Sequence, residues 1–286
     1  LQHMPDDAQP RWNAHLRLRY AREGGATRLR ERVHVGPLRV LKTLYPEGEA
    51  IAHSVIVHPP AGIAAQDTLA VECEVGPGAH VVIATPGAQK WYRQGPQSAQ
   101  ETGQAHTRLG VHAGGVLEWL PQEAIVFEGC FGEQSIELDV ADGGKCLAWE
   151  LLQLGRPDSG EPFARGRFVQ SSSLKSAGKL VLCERMVLTG HDRPLRDPLR
   201  DALFSVVGNV WIIGHPTPKA ALATLQAACV RAKVLCAVTL IESRILLVKA
   251  VGHRAEDVRS FFVRCRDLVR ESWCGVTSAK LRIWST

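Results

Sequence analysis

Three glutamates stand where carboxylates are expensive. In residues 180–188 the alternate positions Leu180, Leu182, Glu184, Met186 and Leu188 share one strand face, so Glu184 points with four large apolar side chains. Glu150 lies in Ala148-Trp149-Glu150-Leu151-Leu152, a run apolar on both faces, and Glu118 sits between Val116 and Leu120. A carboxylate on a core face must be paired or hydrated. Two readings follow. Either the acids form buried ion pairs, with Arg156 and Arg185 as candidate partners, or they line a wet internal passage where a divalent cation is tolerated. His58 and His112, beside turns, and Asp67 are the other residues whose types could touch a metal.

Other chemistries lack their signatures. There is no Gly-x-Ser-x-Gly for a strained nucleophile, no phosphate loop ending in Gly-Lys-Ser/Thr, and no dinucleotide fingerprint. The eight cysteines contain no Cys-x-x-Cys pair and mostly fall within apolar segments, where a thiol acts as a small hydrophobe. No tight metal site is expected. A reduced, cytoplasmic protein is the simplest account of such cysteines.

The elements that must position these acids are mostly strands. Residues 16–20, 27–35, 38–44 and 51–57 alternate with period two, and further strand-like runs follow at 69–75, 79–85, 105–111, 116–120, 135–140, 146–154, 166–174 and 180–188. Between them lie Gly76-Pro77-Gly78, Ala113-Gly114-Gly115 and Asp142-Gly143-Gly144, turns in which glycine takes a positive φ cheaply. This predicts a mainly β fold of many short antiparallel strands in stacked sheets, sandwich- or solenoid-like.

The charged, proline-bearing stretch at 189–201 breaks the pattern and reads as a loop or partner-contact segment. Beyond it, Thr217 and Pro218 open a predicted helix over 219–231, with Leu222, Leu225 and Cys229 along one face. Residues 234–241 and 244–251 form a predicted hairpin turning at Glu242-Ser243. A second helix covers 254–273, with Val258, Phe261, Phe262, Cys265, Leu268, Val269 and Trp273 as its stripe. Residues 1–4 read as a tag remnant. Residues 5–190 are expected to be a β-rich body on which residues 202–286 pack as part of the same unit.

At 286 residues the chain can bury a sizeable core. The 34 basic and 29 acidic residues are intermixed, and no basic run is interleaved with stacking aromatics, which argues against nucleic acid as a partner. Nothing approaches the length of a membrane span.

Several blocks together carry a family resemblance. They are His58-Pro59-Pro60-x-Gly62-Ile63 followed by Asp67, then Thr85-Pro86-Gly87-Ala88 with Lys90-Trp91-Tyr92-Arg93. Next come Leu117-Glu118-Trp119-Leu120-Pro121-Gln122-Glu123 with Ile125 and Phe127, then Trp149-Glu150, Leu154-Gly155-Arg156 and Ser159-Gly160-Glu161-x-Phe163. In this order the chain resembles the urease accessory protein UreD (UreH) family over nearly its whole length. It departs from that pattern at Ala61, where a second glycine is usual, and at Ala65-Gln66, where glycines are common.

The resemblance implies a non-enzymatic scaffold of urease maturation. Its implied partners are a UreF-like protein, a UreG-like GTPase reached through UreF, and apo-urease subunits. Its implied cargo is nickel in transit, with no tightly bound cofactor. A water-filled passage through the family's β body gives the core acids a reason, with Glu150 and Glu184 along it and Asp67 near an opening. Glu118, His58 and His112 are further candidates. Lys90, Trp91, Tyr92 and Arg93 are expected to fix a hairpin by cation–π packing or to anchor an interface. Two rival readings stay open: a metal-dependent hydrolase using His58, Asp67 and His112, and a plain β-sandwich interaction module.

Overall fold

The computed structural model describes residues 11–94, 101–190, 204–281 and 283. In chain order its first strands are β1 (Asn13–Glu23), β2 (Ala26–Val35), β3 (Arg39–Val40), β4 (Ile51–Val57), β5 (Gly62–Ile63), β6 (Thr68–Val75), β7 (His80–Ala84), β8 (Gln89–Trp91) and β9 (Gly103–Val111). There follow β10 (Val116–Leu120), β11 (Ala124–Val126), β12 (Phe131–Val140), β13 (Lys145–Leu154), β14 (Arg167–Ser176), β15 (Lys179–Thr189) and β16 (Val206–Ile213). The C-terminal elements are α1 (Pro218–Val230), β17 (Leu235–Ile241), β18 (Ile245–Gly252) and α2 (Ala255–Cys274).

From β4 to β14 the chain winds as a solenoid. Strands β4, β7, β10 and β13 pair in parallel as one wall. Strands β6, β9, β12 and β14 pair in parallel as the facing wall. The short β5, β8 and β11 make a narrow third side, also parallel. This corrects the expected antiparallel pairing. The glycine turns do reverse the chain, but each hands it from one wall to the other instead of closing a hairpin. They also stack: Gly78 N–H donates to Gly114 O at 3.2 Å, and Gly114 N–H donates to Gly143 O at 3.0 Å. A side chain at Gly115 would meet the Val75 and Gly76 carbonyls at 3.0 Å, so the corner has no room for one.

Antiparallel pairs finish the edges. β2 closes one end against β1, which joins the facing wall beside β6, and β15 closes the other end against β14. In the first wall β3 borders β4, and β16, β18 and β17 extend the sheet beyond β13. The β17–β18 hairpin turns at Glu242 and Ser243, both with positive φ as a type I′ turn demands. The stretch at 191–201, expected to be a loop or contact segment, lies outside the described residues, as does the expected tag remnant at 1–4.

The first wall separates two apolar cores. One fills the space between the walls, with Leu18, Val81, Leu109, Leu117, Ile136 and Trp211 among its members. The other lies on the outer face under the helices, with Leu147, Trp149, Val210, Leu225, Phe262 and Trp273. Helix α2 buries Val258, Phe261, Phe262, Cys265, Val269 and Trp273 as its spacing predicts, each large apolar side chain contributing roughly 1.5–3 kcal/mol. Leu268, placed in that stripe by sequence, is instead exposed. Helix α1 buries Ala221, Leu225 and Ala228, with Leu222 and Cys229 at the margin. Thr217 stands at its N-cap without a capping side-chain bond, and Thr217 N–H donates to His215 Nδ1 at 3.0 Å.

Candidate functional site

A polar row crosses the apolar space between the walls. On the first wall Glu150 of β13 is in register with Asn209 of β16, which is in register with Lys249 of β18, so all three side chains share the inner face. On the facing wall Gln134 of β12 is in register with Gln170 of β14. Two residues further along β14, Ser172 is in register with Glu184 of β15. The rows meet at both ends. Gln134 Nε2 donates to Glu150 Oε1 at 2.8 Å and Gln170 Nε2 to Glu150 Oε2 at 3.1 Å, while Lys249 Nζ sits 2.5 Å from Glu184 Oε1.

Glu150 is 4% exposed, and among the described residues no cation pairs with it. Burial pushes its carboxyl up to about 7, and the two amide donors offset only part of that desolvation. It therefore exchanges a proton near neutral pH. At the other end, Glu184 and Lys249 are half-exposed and mark where the row meets solvent.

Beside Glu150 the walls part to leave a cavity of about 370 Å³, lined also by His58, Ala105, Trp119, Gln134 and the Pro86–Gly87 turn. His58 is the unusual wall residue. Both its ring nitrogens are buried with no hydrogen-bond partner among the described residues, and burial pulls its pKa down, so the ring is held neutral with lone-pair capacity free. Gln134 Oε1 is likewise buried and unpartnered. Buried polar atoms of this kind call for water or a polar guest. Sequence reasoning missed the two glutamines, Asn209 and Lys249. The signal available was the match of Gln134, Gln170 and Asn209 to the inward positions of their strands.

Glu118 belongs elsewhere. It points to the outer face of the first wall, is fully buried, and meets α2. Arg266 Nε donates to Glu118 Oε2 at 2.6 Å, Arg270 Nε to Glu118 Oε1 at 3.0 Å, and His80 Nε2 lies 2.9 Å from Oε1. Arg270 continues to Glu47 at 2.6 and 2.9 Å, and Glu47 to His53 at 2.7 Å. Burial alone would raise the Glu118 carboxyl, but the His80 hydrogen bond and the two guanidinium charges outweigh it and hold it at about 2. Its expected place in the passage is corrected: it is a buried ion network with helix arginines that the sequence reading did not pair with it. Arg156, one of the partners expected there, instead pairs with Glu161. His80, Glu118 and Cys274 also bring ligand-type atoms within 4.8 Å of one another. Two guanidiniums against the same carboxylate make that spot hostile to a dication.

The comparisons with known proteins agree on one family. The model of the UreD urease accessory protein matches residues 13–285. The chain belongs to the UreD urease accessory protein family. The urease accessory protein UreD of Cupriavidus pinatubonensis is 40% identical, with 97% of this chain and 96% of that protein aligned. That of Cupriavidus necator is 40% identical over 96% and 95%, and that of Ralstonia nicotianae 37% over 98% and 96%. A role in urease maturation follows from membership. Among the described residues no helix is long and apolar enough to cross a membrane.

Asp67, His112, Trp91 and Tyr92 stand outside the polar row. Asp67 is buried and accepts the Trp12 and Ala64 N–H groups, each at 2.8 Å, so both its oxygens are engaged in tying β1 to the turn before β6. His112 sits at an exposed corner 3.3 Å from Glu74, remote in sequence register from the polar row. Gly62 lies under the Tyr92 ring, where an added Cβ would meet ring carbon at 2.0 Å. Trp91 is buried edge-on to Phe168 at 4.9 Å, and Tyr92 edge-on to Phe127 at 5.4 Å. Among the described residues Lys90, Trp91, Tyr92 and Arg93 make no cation–π contact with one another; the nearby one is Arg156 over Phe127 at 4.4 Å, and β8 pairs in parallel with β5 and β11 instead of forming a hairpin. Tyr92, Arg93, Phe127, Arg156 and Glu161 line a surface hollow. At the two UreD departures, Ala61 and Gln66 hold φ of 62° and 66°, the left-handed region that glycine tolerates best.

Proposed function

We propose that this UreD-family protein is a non-catalytic scaffold of urease maturation that lets nickel pass between its two β walls. The observation that carries this reading is the polar row from the Glu150 cavity to the Glu184–Lys249 pair, set in an otherwise apolar core. A carboxylate, a neutral imidazole and amide oxygens are donors that hold Ni²⁺ weakly enough to release it, whereas a closed set of thiolates would keep it. His58 and Glu150 are the first stations and Glu184 the last. Asp67, spent on the Trp12 and Ala64 N–H groups, holds the turn before β6 and does not itself touch the ion.

In this reading a UreF-like protein and apo-urease dock at the ends of the row, and a UreG-like GTPase is reached through UreF. The hollow around Tyr92 and Arg93 offers aromatic and guanidinium anchors for such a contact. Glu150→Ala and Glu184→Ala are expected to lower urease activation while the variants still co-purify with UreF and urease. Full activation by both variants would remove the passage and leave a plain interaction module.

A further inference from the structure

Three thiols converge where α1, β17 and α2 meet. Cys229 is in the last turn of α1 and Cys236 is the second residue of β17, both half-buried, and Cys265 of α2 is buried beneath them. The Cys236 thiol donates to the Cys229 carbonyl at 3.8 Å, and both residues pack against the core cluster that contains Cys265. A short connection closes the pair: Ala232 N–H donates to Cys229 O at 3.1 Å, turning the chain back so that β17 starts beside the helix end. That connection is exposed at Val230, Arg231, Lys233 and Leu235. Of the three sulfurs, Cys229 and Cys236 are therefore the two that a reagent reaches first. The three do not come together as a metal-ligating group, since the one such cluster among the described residues is His80, Glu118 and Cys274.

We propose that Cys229 and Cys236 form a reversible thiol pair that glutathione disulfide oxidises to an intramolecular disulfide, stapling the end of α1 to β17. In the first step the Cys229 thiolate attacks one sulfur of glutathione disulfide; that S–S bond breaks and one glutathione thiolate leaves. In the second the Cys236 thiolate attacks the Cys229 sulfur of the mixed disulfide and releases the other glutathione. Two protein thiols are oxidised, one glutathione disulfide is reduced to two glutathiones, and the two cysteine protons pass to the departing thiolates. The exposed Arg231 and Lys233 suit the anionic reagent. Burial pushes the Cys236 thiol up to about 12, which makes the second step the slow one, so the mixed disulfide on Cys229 forms first and closes over time.

The test treats the full-length protein with glutathione disulfide and reads intact mass and iodoacetamide labelling of native samples. Expected is a loss of two hydrogens from the mass, protection of Cys229 and Cys236 together, reversal by dithiothreitol, and a Tm rise of about 5 °C. Cys229→Ser and Cys236→Ser should each abolish the closed species, and Cys236→Ser should trap a glutathione adduct on Cys229, while Cys265→Ser should still close it. Far-ultraviolet circular dichroism of each variant checks that it is folded. A glutathione adduct on the unaltered chain that never converts to the closed form on prolonged incubation, or closure that survives in Cys236→Ser, would overturn the proposal.

Discussion

Glu118 and Glu150 stand on neighbouring parallel strands and point to opposite faces of one sheet. In the β10–β13 register Glu118 lies beside Leu147 and Trp119 beside Ala148, which places Glu150 on the face of Trp119. Both carboxyls are buried, yet one is held at about 2 and the other pushed up to about 7. Burial acts on both in the same direction. The difference is the company: two guanidiniums and an imidazole on the helix side, two amides on the cavity side. One acid is neutralised by cations and the other is held by amide donors alone.

Glu150 makes the fold pH-sensitive in an unusual direction. An unfolded carboxyl ionises near 4.5, the folded one near 7, so between those values the folded chain holds the extra proton. Stability should fall as pH rises through that window, by on the order of 3 kcal/mol, and level off above it. Glu150→Gln should remove the slope and raise the urea midpoint at pH 8, since Gln134 can turn its unpartnered Oε1 to accept from the new amide. Urea melts of both proteins at pH 5 and pH 8 measure this.

The Glu118 network should respond the other way. Its folded pKa is depressed, so its contribution is present at neutral pH and is lost as pH falls from about 4.5 toward 2; the same holds for Glu47. Arg270→Ala leaves Glu118 and Glu47 short of a buried partner and should cost about 3–5 kcal/mol. Chemical denaturation at pH 7 gives the number, and loss of α2 docking should show as increased Trp273 fluorescence exposure.

Ala61→Gly and Gln66→Gly should each stabilise. Both residues hold left-handed backbone, and relief of that strain exceeds the entropy glycine adds to the unfolded chain by roughly 0.5–1 kcal/mol. Thermal melts of the single variants and the pair check this, and the pair should come close to additive only if the two turns are independent.

Much of the fold was legible because its signals are local. Strand periodicity, the Pro218 helix start and the α2 stripe each depend on residues near in sequence, and each appears in the structure. Parallel winding was not legible. A Gly-Pro-Gly turn specifies a change of direction, and the choice between pairing with the previous strand and crossing to another wall is made by the stacking of distant glycines such as Gly78, Gly114 and Gly143. The site divided in the same way. Glu150 and Glu184 could be singled out as carboxylates on apolar faces, but Glu118 met the same criterion and its neutralising arginines lie 148 and 152 residues away. The row Phe262-Arg266-Arg270-Trp273 on α2, spaced by four, four and three residues, was the sequence signal for them.

The central claim is that nickel reaches urease along the row from Glu150 to Glu184. The most direct measurement is the nickel content of urease activated in the presence of the Glu150→Ala, Glu184→Ala double variant, with co-purification of urease and UreF monitored in the same cells. The account predicts nickel per active site reduced about tenfold, equivalent to about 1.4 kcal/mol, while the complex still forms. Urease with its full nickel complement from that variant would contradict it.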